Sequence, residues 1–466
     1  MTQTAKKSPF SMNVDLMHGP IFKNLLLFML PIFISSLFQQ LYNTVDTMIV
    51  GNVLGDTALA AIGSCGSIYE LLVGFGLGIG NGLAIVAARS YGAQDHDLLK
   101  KTVAGSLVIG LVASICITLA GVLGLHTLLL MLDTPAEILD DAYRYILTID
   151  LGVLVMFAYN LCAGLLRAIG NSVMPLVFLL ISSGLNVVLD LLFIARMGMG
   201  VQGAAVATVL SQVFSFAICA AGLKRLEFVS LLDGSKSKNA RLAVRMLKTG
   251  LPVGIMSMVT AVGGMILQFF VNDLGASAVA AYAASTKIRS VIGEFSNALG
   301  MTFMTFVGQN YGAQKYDRIK DGVRMGVILS ILIHIPLSAI EIFGGKRIAS
   351  LMVTDPSVLE LCRQYLLIVG IFVFFLGFLM VFRNCIQGMG NTWIPMLSGG
   401  LEVISRLIFG YWLGRHSFMG IAAAEASAWI SVSIMLGSSF FILFRKVLRT
   451  QTPENTTDTK NIRTIS

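Results

Sequence analysis

Charge is scarce in this sequence. Only 12% of its 466 residues are Asp, Glu, Lys or Arg, while 56% are hydrophobic, and the mean hydropathy is +0.81. A soluble protein carries about twice that share of charge. Polar stretches are short too, the longest running from Lys224 to Lys248, which leaves no room for a soluble catalytic domain. No GxxxxGK[ST] run is present, so no ATP site is expected. Nor is there an HExxH, a GxGD, or a Ser paired with a His, and the five His residues are scattered, so an intramembrane enzyme is excluded. The six cysteines (Cys65, Cys116, Cys162, Cys219, Cys362, Cys385) lie in or beside apolar runs without CxxC spacing. They read as small packing residues, with no disulfide or zinc framework. Neither a structural metal nor a resident cofactor is expected.

What the chain does have is apolar runs long enough to cross hydrocarbon about 30 Å thick. They fall near 21–50, 58–90, 102–125, 139–166, 173–195, 201–222, 246–272, 278–310, 323–344, 359–386, 394–413 and 420–444. This pattern predicts an all-α membrane protein of about 12 transmembrane helices. Lys6, Lys7 and Lys23 flank the first run, which continues to about Val50 and is too long for a cleavable signal. One set of flanks holds 24 of the 33 basic residues, and the other holds only Arg144, Arg196, Lys346, Arg347, Arg363 and Arg415. The positive-inside rule therefore places both termini in the cytoplasm, in a multi-pass protein of the inner or plasma membrane. The net charge of +8 belongs to these loops and lacks interleaved aromatics, so it reads as membrane-surface charge, with no nucleic acid.

A single shift of 220 residues aligns nearly the whole chain with itself. Tyr91-Gly92-Ala93-Gln94 returns as Tyr311-Gly312-Ala313-Gln314, and Gly170-Asn171 with Pro175 returns as Gly390-Asn391 with Pro395. Gly55, Thr134 and Tyr145 return as Gly275, Thr354 and Tyr365. The expected organisation is a six-helix lobe at 1–222, a cytoplasmic linker at 223–248, a second six-helix lobe at 249–444 and a polar cytoplasmic tail at 445–466. Six spans per repeat is even, so both halves face the same way and a cavity is expected between them. No ring of filter carbonyls or carboxylates suggests a channel.

These residues resemble a known family. Leu30-Pro31, Val45-Asp46-Thr47 with Gly51, the two YGAQ loops, the paired GN…P turns and Asn186-Val187-Val188-Leu189-Asp190 are similar to the multidrug and toxic compound extrusion (MATE) transporters. Within that family they look closest to the bacterial branch that includes DNA-damage-inducible members. The resemblance runs from about Asp15 to Arg449. It implies two six-helix lobes in a V and secondary active efflux of small amphipathic, often cationic drugs by H⁺ or Na⁺ antiport. A monomer in the lipid bilayer is expected. The alternative function is a flippase for a lipid-linked saccharide, in which Lys287, Arg289 and Arg406 face the cavity and hold a pyrophosphate.

Ionisable residues inside spans are expensive and point to function. The first half carries acids (Asp46, Glu70, Asp150, Asp190), whereas the second is mixed (Lys287, Arg289, Glu294, Glu402, Arg406, Glu425). Gln39, Asn43 and Asp46 share one face of the first helix, widened by Gln40. Ser183, Asn186 and Asp190 share a face of the fifth, and Thr208, Ser211 and Ser215 one of the sixth. Such faces suit either a small cation or a protonated carboxyl. By the family resemblance, Asp46, Asn186, Asp190 and Thr208 form the cation-coupling site, able to take Na⁺. Gln39, Gln40 and Asn43 are read as polar cavity residues, and Pro31 as a hinge.

The shift of 220 turns Asn186 into Arg406 and Asp190 into Gly410, so the second lobe lacks this site. Arg406 is expected to pair with Glu402, four residues earlier. Glu70 and Asp150 read as span-end residues that reach water. Lys287 and Arg289 suit a gating interface or an anionic group. The glycine run 74–82 reads as close helix packing, and the 23 Met and 28 Phe residues suit an adaptable cavity.

Overall fold

The computed structural model describes residues 13–132, 134–224 and 240–449, and among these it holds helices and no strand. Twelve rods follow one another. In the first half they are α1 (Ile21–Leu54), α2 (Asp56–Ser64, then Gly66–Gly92), α3 (His96–Met131), α4 (Ala136–Leu151, then Val153–Ala168), α5 (Val173–Asp190, widening over Leu191–Arg196) and α6 (Gly200–Lys224). The second half holds α7 (Ala240–Asp273), α8 (Ala276–Gly312), α9 (Tyr316–Ala339, with Ile340–Gly344 and Gly345–Ala349), α10 (Pro356–Gly388), α11 (Trp393–Phe409, then Gly410–Gly414) and α12 (Phe418–Arg449).

By length and apolarity, nine of these cross a membrane alone. The two parts of α4, bent by 47°, make a tenth. The other two fall short of that apolarity: α8 carries Lys287, Arg289 and Glu294, and α11 carries Glu402 and Arg406. The protein is an all-α membrane protein of two homologous six-helix lobes.

The repeat is legible in the backbone. Gln94 and Gln314, each closing a YGAQ turn, both take positive φ, 55° and 57°. Such a conformation is uncommon for a residue with a Cβ, and here it recurs because the same tetrapeptide makes the same turn. Gly55 and Gly275 likewise join the first rod of each lobe to the second at φ 85° and 92°, where glycine carries no steric penalty. Three boundaries differ from the sequence expectation. Cys65 divides the second span, Gly152 divides the fourth, and α7 starts at Ala240, so its first turns fall within the stretch assigned to the linker. Residues 225–239 and 450–466, and with them most of the linker and tail, lie outside the described residues.

The first rods of the lobes exchange partners halfway along. Leu25, Phe28, Met29 and Phe33, the early part of α1, pack in the core of the second lobe. Val50, near its end, packs in the first. Reciprocally, Leu242 and Met246 of α7 join the first-lobe core, and Leu267 and Phe270 the second. Pro31 and Pro252 lie inside these helices, which run on through them, and α1 still packs in the second-lobe core beyond Pro31, at Ile32 and Phe33.

The lobes meet tightly at the end bearing the YGAQ loops. A Cβ on Gly92 would overlap the Gln309 carbonyl, and one on Gly312 the Arg89 carbonyl. Gln309 Nε2 donates to Ala168 O at 2.8 Å, and the Arg89 guanidinium lies 4.7 Å from the Tyr311 ring centroid. A short N-terminal strap lies across this seam. Val14 N donates to Gly170 O (2.9 Å), while Arg318 donates to the carbonyls of Leu16, His18 and Gly19 at 2.9–3.1 Å. Toward the other end, nothing comes within 4 Å of a Cβ placed on Gly63, Gly66 or Gly74.

Candidate functional site

Three helices of the first lobe bring the predicted cluster together. Asp190 and Asn186, one turn apart on α5, are both fully buried, and Thr208 of α6 is nearly so. The Asn186 amide, oriented to satisfy both neighbours, donates to Asp190 Oδ2 at 3.0 Å and accepts from Thr208 N at 3.3 Å. Asp46 of α1, half-buried, has its carboxyl in hydrogen-bond contact with that of Asp190. Oδ1 of each Asp has no protein partner. Two carboxylates are acceptors only, so such a contact needs a shared proton or a cation between them. The two carboxyls offer hard oxygen atoms, while the Asn186 amide turns its nitrogen to Asp190 and its oxygen to Thr208 N.

Polar residues on α1 divide. Gln40 Nε2 donates to Glu294 Oε1 of α8 at 3.3 Å, a bond between the lobes. Gln39 and Asn43 are exposed and stand apart from the Asp46 contact. Pro31 lies more than three turns before Asp46, and its carbonyl accepts from Ser35 Oγ (2.8 Å). Three tyrosines that the sequence reading passed over lie within electrostatic reach of Asp46: Tyr42, Tyr69 and Tyr145. Tyr42 also bonds Thr208. Tyrosine is common in membrane cores, so only the repeat gave a hint, through the Tyr145–Tyr365 match.

The second lobe fills the equivalent place with ion pairs. Glu402 holds Arg406 at 2.9 Å and Arg383 at 3.1 Å, while Glu425 holds Arg289 at 2.8 Å and lies 3.9 Å from Arg406. Tyr365 donates to Glu425, and Arg289 also lies over the Trp429 ring at 5.6 Å. The expected Glu402–Arg406 pair is present and belongs to a larger network. Lys287 is exposed and takes no part in these ion pairs. Glu70 is exposed as expected, but Asp150 is not: it is fully buried, with neither carboxyl oxygen bonded to protein. The span-end reading of Asp150 is therefore corrected. The α4 bend at Gly152 turns its helix inward against α3, which apolar periodicity does not reveal.

A cavity of about 300 Å³ opens beside the network, lined by Asn81 of α2 and by α7, α8 and α10. Its wall includes Met256, Met301, Met304 and Met380 together with Arg383 and Gln387. Flexible thioethers beside a few polar groups suit ligands of varied shape.

Two homologous six-helix lobes around a seam define a protein of the membrane-transporter class. The MatE family model matches residues 31–192 and 252–412, one stretch in each lobe and more than half of the chain together. The chain belongs to the MatE family. It is 28% identical over 429 residues to the probable multidrug resistance protein YpnP of Bacillus subtilis (strain 168), covering 91% of this chain and 94% of that one. It is 25% identical over 440 residues to the probable multidrug resistance protein YoeA of the same organism, covering 91% and 95%. A third relative is the multidrug export protein MepA of Staphylococcus aureus (strain MSSA476), 25% identical over 405 residues, covering 84% and 89%. Among solved structures the fold matches MATE in the bent conformation with a TM-score of 0.87 at 21% identity, covering 94% and 98% of the two chains. An outward-facing multidrug resistance MATE family transporter matches with the same TM-score at 20% identity, covering 94% and 99%.

Proposed function

We propose that this protein exports small amphipathic, often cationic drugs across the cell membrane in exchange for H⁺ or Na⁺. The observation that carries the reading is the contact of the Asp46 and Asp190 carboxyls on two helices of one lobe, with oxygen atoms left over. The relatives' names, multidrug resistance and multidrug export proteins, support the substrate class.

In this reading Asp46 and Asp190 hold the coupling ion, while Asn186 and Thr208 fix the Asp190 carboxyl through the amide and the α6 backbone. Asp46 rides on α1, whose early half packs against the second lobe, so ion binding at Asp46 bears directly on the seam between lobes. Pro31, inside the part of α1 that packs against the second lobe, serves as the hinge. With the YGAQ loops on the cytoplasmic side, the tight seam there leaves the opposite end open, as an outward-facing state requires. Drug lodges in the methionine-lined cavity and leaves when the carboxyl pair takes its cation. The guanidinium groups that a pyrophosphate-binding flippase needs free are held here by Glu402 and Glu425, which disfavours that alternative.

Ethidium efflux in everted vesicles, with pH and Na⁺ varied separately, tests the reading. Asp190→Asn retains size and hydrogen bonding but removes the titratable charge. It is expected to fold and bind drug while losing gradient-driven efflux, as is Asp46→Asn. The double variant is expected to be little worse than either, because residues acting as a unit are not additive. Normal gradient-driven efflux by Asp190→Asn at matched expression would overturn the site.

A further inference from the structure

The shift of 220 residues exposes a second pair of buried carboxyls, one in each lobe, outside the Asp46–Asp190 cluster. In the first lobe Asp150 of α4 faces Gly121 of α3, so closely that a Cβ on Gly121 would overlap the carboxyl. In the second lobe Glu341 of α9 faces Gly370 of α10, where a Cβ would stand 3.5 Å from Glu341 Oε2. The shift carries Gly121 onto Glu341 and Asp150 onto Gly370, so acid and glycine have changed sides while the place is kept. Hydrogen bonds fix the equivalence. Thr118 Oγ1 donates to Asp150 O at 2.9 Å, and Ser338 Oγ, its counterpart, donates to Gly370 O at 2.7 Å. The same exchange recurs further along these helices. Gly110 receives Phe157 in the first lobe, and Gly377 receives Ser330 and His334 in the second.

Both acids are fully buried, and neither has any carboxyl oxygen bonded to protein. An ionised carboxylate so placed is strongly disfavoured, whereas the neutral acid is tolerated. Each also sits where a helix departs from regular α geometry. Helix α4 breaks at Gly152, two residues past Asp150, and the wide turn Ile340–Gly344 of α9 contains Glu341. Wide turns of this kind occur often at functional sites.

We infer that Asp150 and Glu341 are quasi-symmetric proton-binding sites, one per lobe, each holding a proton on a carboxyl packed into a glycine recess of the neighbouring helix. The surroundings set them apart. No charged side chain acts on Asp150, and neither of its carboxyl oxygens is bonded to protein; further along, His126 of α3 and Tyr143 of α4 meet edge to face. Around Glu341, Arg289 of α8 and Glu425 of α12 act on the acid with opposite sign. Tyr365 of α10 is engaged by Glu425, and His334 of α9 by Ser296 and Ser330. Glu341 therefore has both a cation and a second carboxylate acting on it, whereas no charged group acts on Asp150.

Infrared difference spectra of the purified protein in nanodiscs read this directly and need no transport. Wild type minus Asp150→Asn, and wild type minus Glu341→Gln, at neutral pH, are each expected to show a protonated-carboxyl C=O band and no carboxylate stretch. Carboxylate bands in place of the C=O band at neutral pH would overturn the inference for that residue. Should an amide variant fail to fold, Asp150→Cys and Glu341→Met, neutral side chains that fit the same recesses, give the same subtraction.

Discussion

Arg406 stands where the first lobe has Asn186, and it shows how much one substitution asks of its neighbours. A guanidinium buried among helices requires an anion, and Glu402 supplies one to Arg406 and to Arg383 at once. Removing one partner from a buried pair is far more costly than replacing the whole pair with apolar groups. Glu402→Gln should therefore destabilise the second lobe by about 3–5 kcal/mol, read as loss of the folded peak in fluorescence-detected size-exclusion chromatography. Arg406→Lys keeps a cation beside Glu402 and should cost much less. Equal losses from the two would show that packing, and not charge, holds this cluster. The Glu402–Arg406 pair was legible because it lies within one helix at a spacing of four. Arg383 and Glu425 were not assignable to it, since their approach depends on how α10 and α12 lie against α11.

At the scale of helices, glycines set how closely α2 and α7 approach. A Cβ on Gly78 would stand 2.6 Å from Gly254 Cα, and one on Gly82 2.6 Å from Gly250 Cα. The glycine run was readable as close packing, yet Gly74 faces open space, because only part of α2 reaches the seam. Gly82→Val puts a branched side chain where the α7 backbone lies, so the lobes must separate at the closed end. Spin labels at Asp97→Cys and Asp317→Cys, both exposed just beyond the YGAQ turns, should report a longer distance in that variant by double electron–electron resonance. An unchanged distance would mean that α2 and α7 yield without moving the lobes. The same geometry explains why Asp150 was misread: its helix bends at Gly152, and a bend changes which side of a span faces protein.

For the whole molecule, orientation fixes the direction of transport. The positive-inside rule predicts cytoplasmic YGAQ loops, so in a cysteine-free background Asp317→Cys should be shielded from an impermeant maleimide in intact cells, and Asp355→Cys should label. The reverse pattern would invert the membrane orientation and make the closed seam extracellular. The sequence by itself determined the membrane class, the twelve rods, the two lobes and the stripe of acids and amides on α1, α5 and α6. Those follow from hydropathy, helical periodicity and a constant repeat, all of which are local or one-dimensional. Only the tertiary structure decided that Asp46 meets Asp190, that α1 crosses from the second lobe to the first along its length, and that each lobe buries a further acid against a glycine. Contacts between helices depend on their rotation, tilt and bends, and no period along the chain records those.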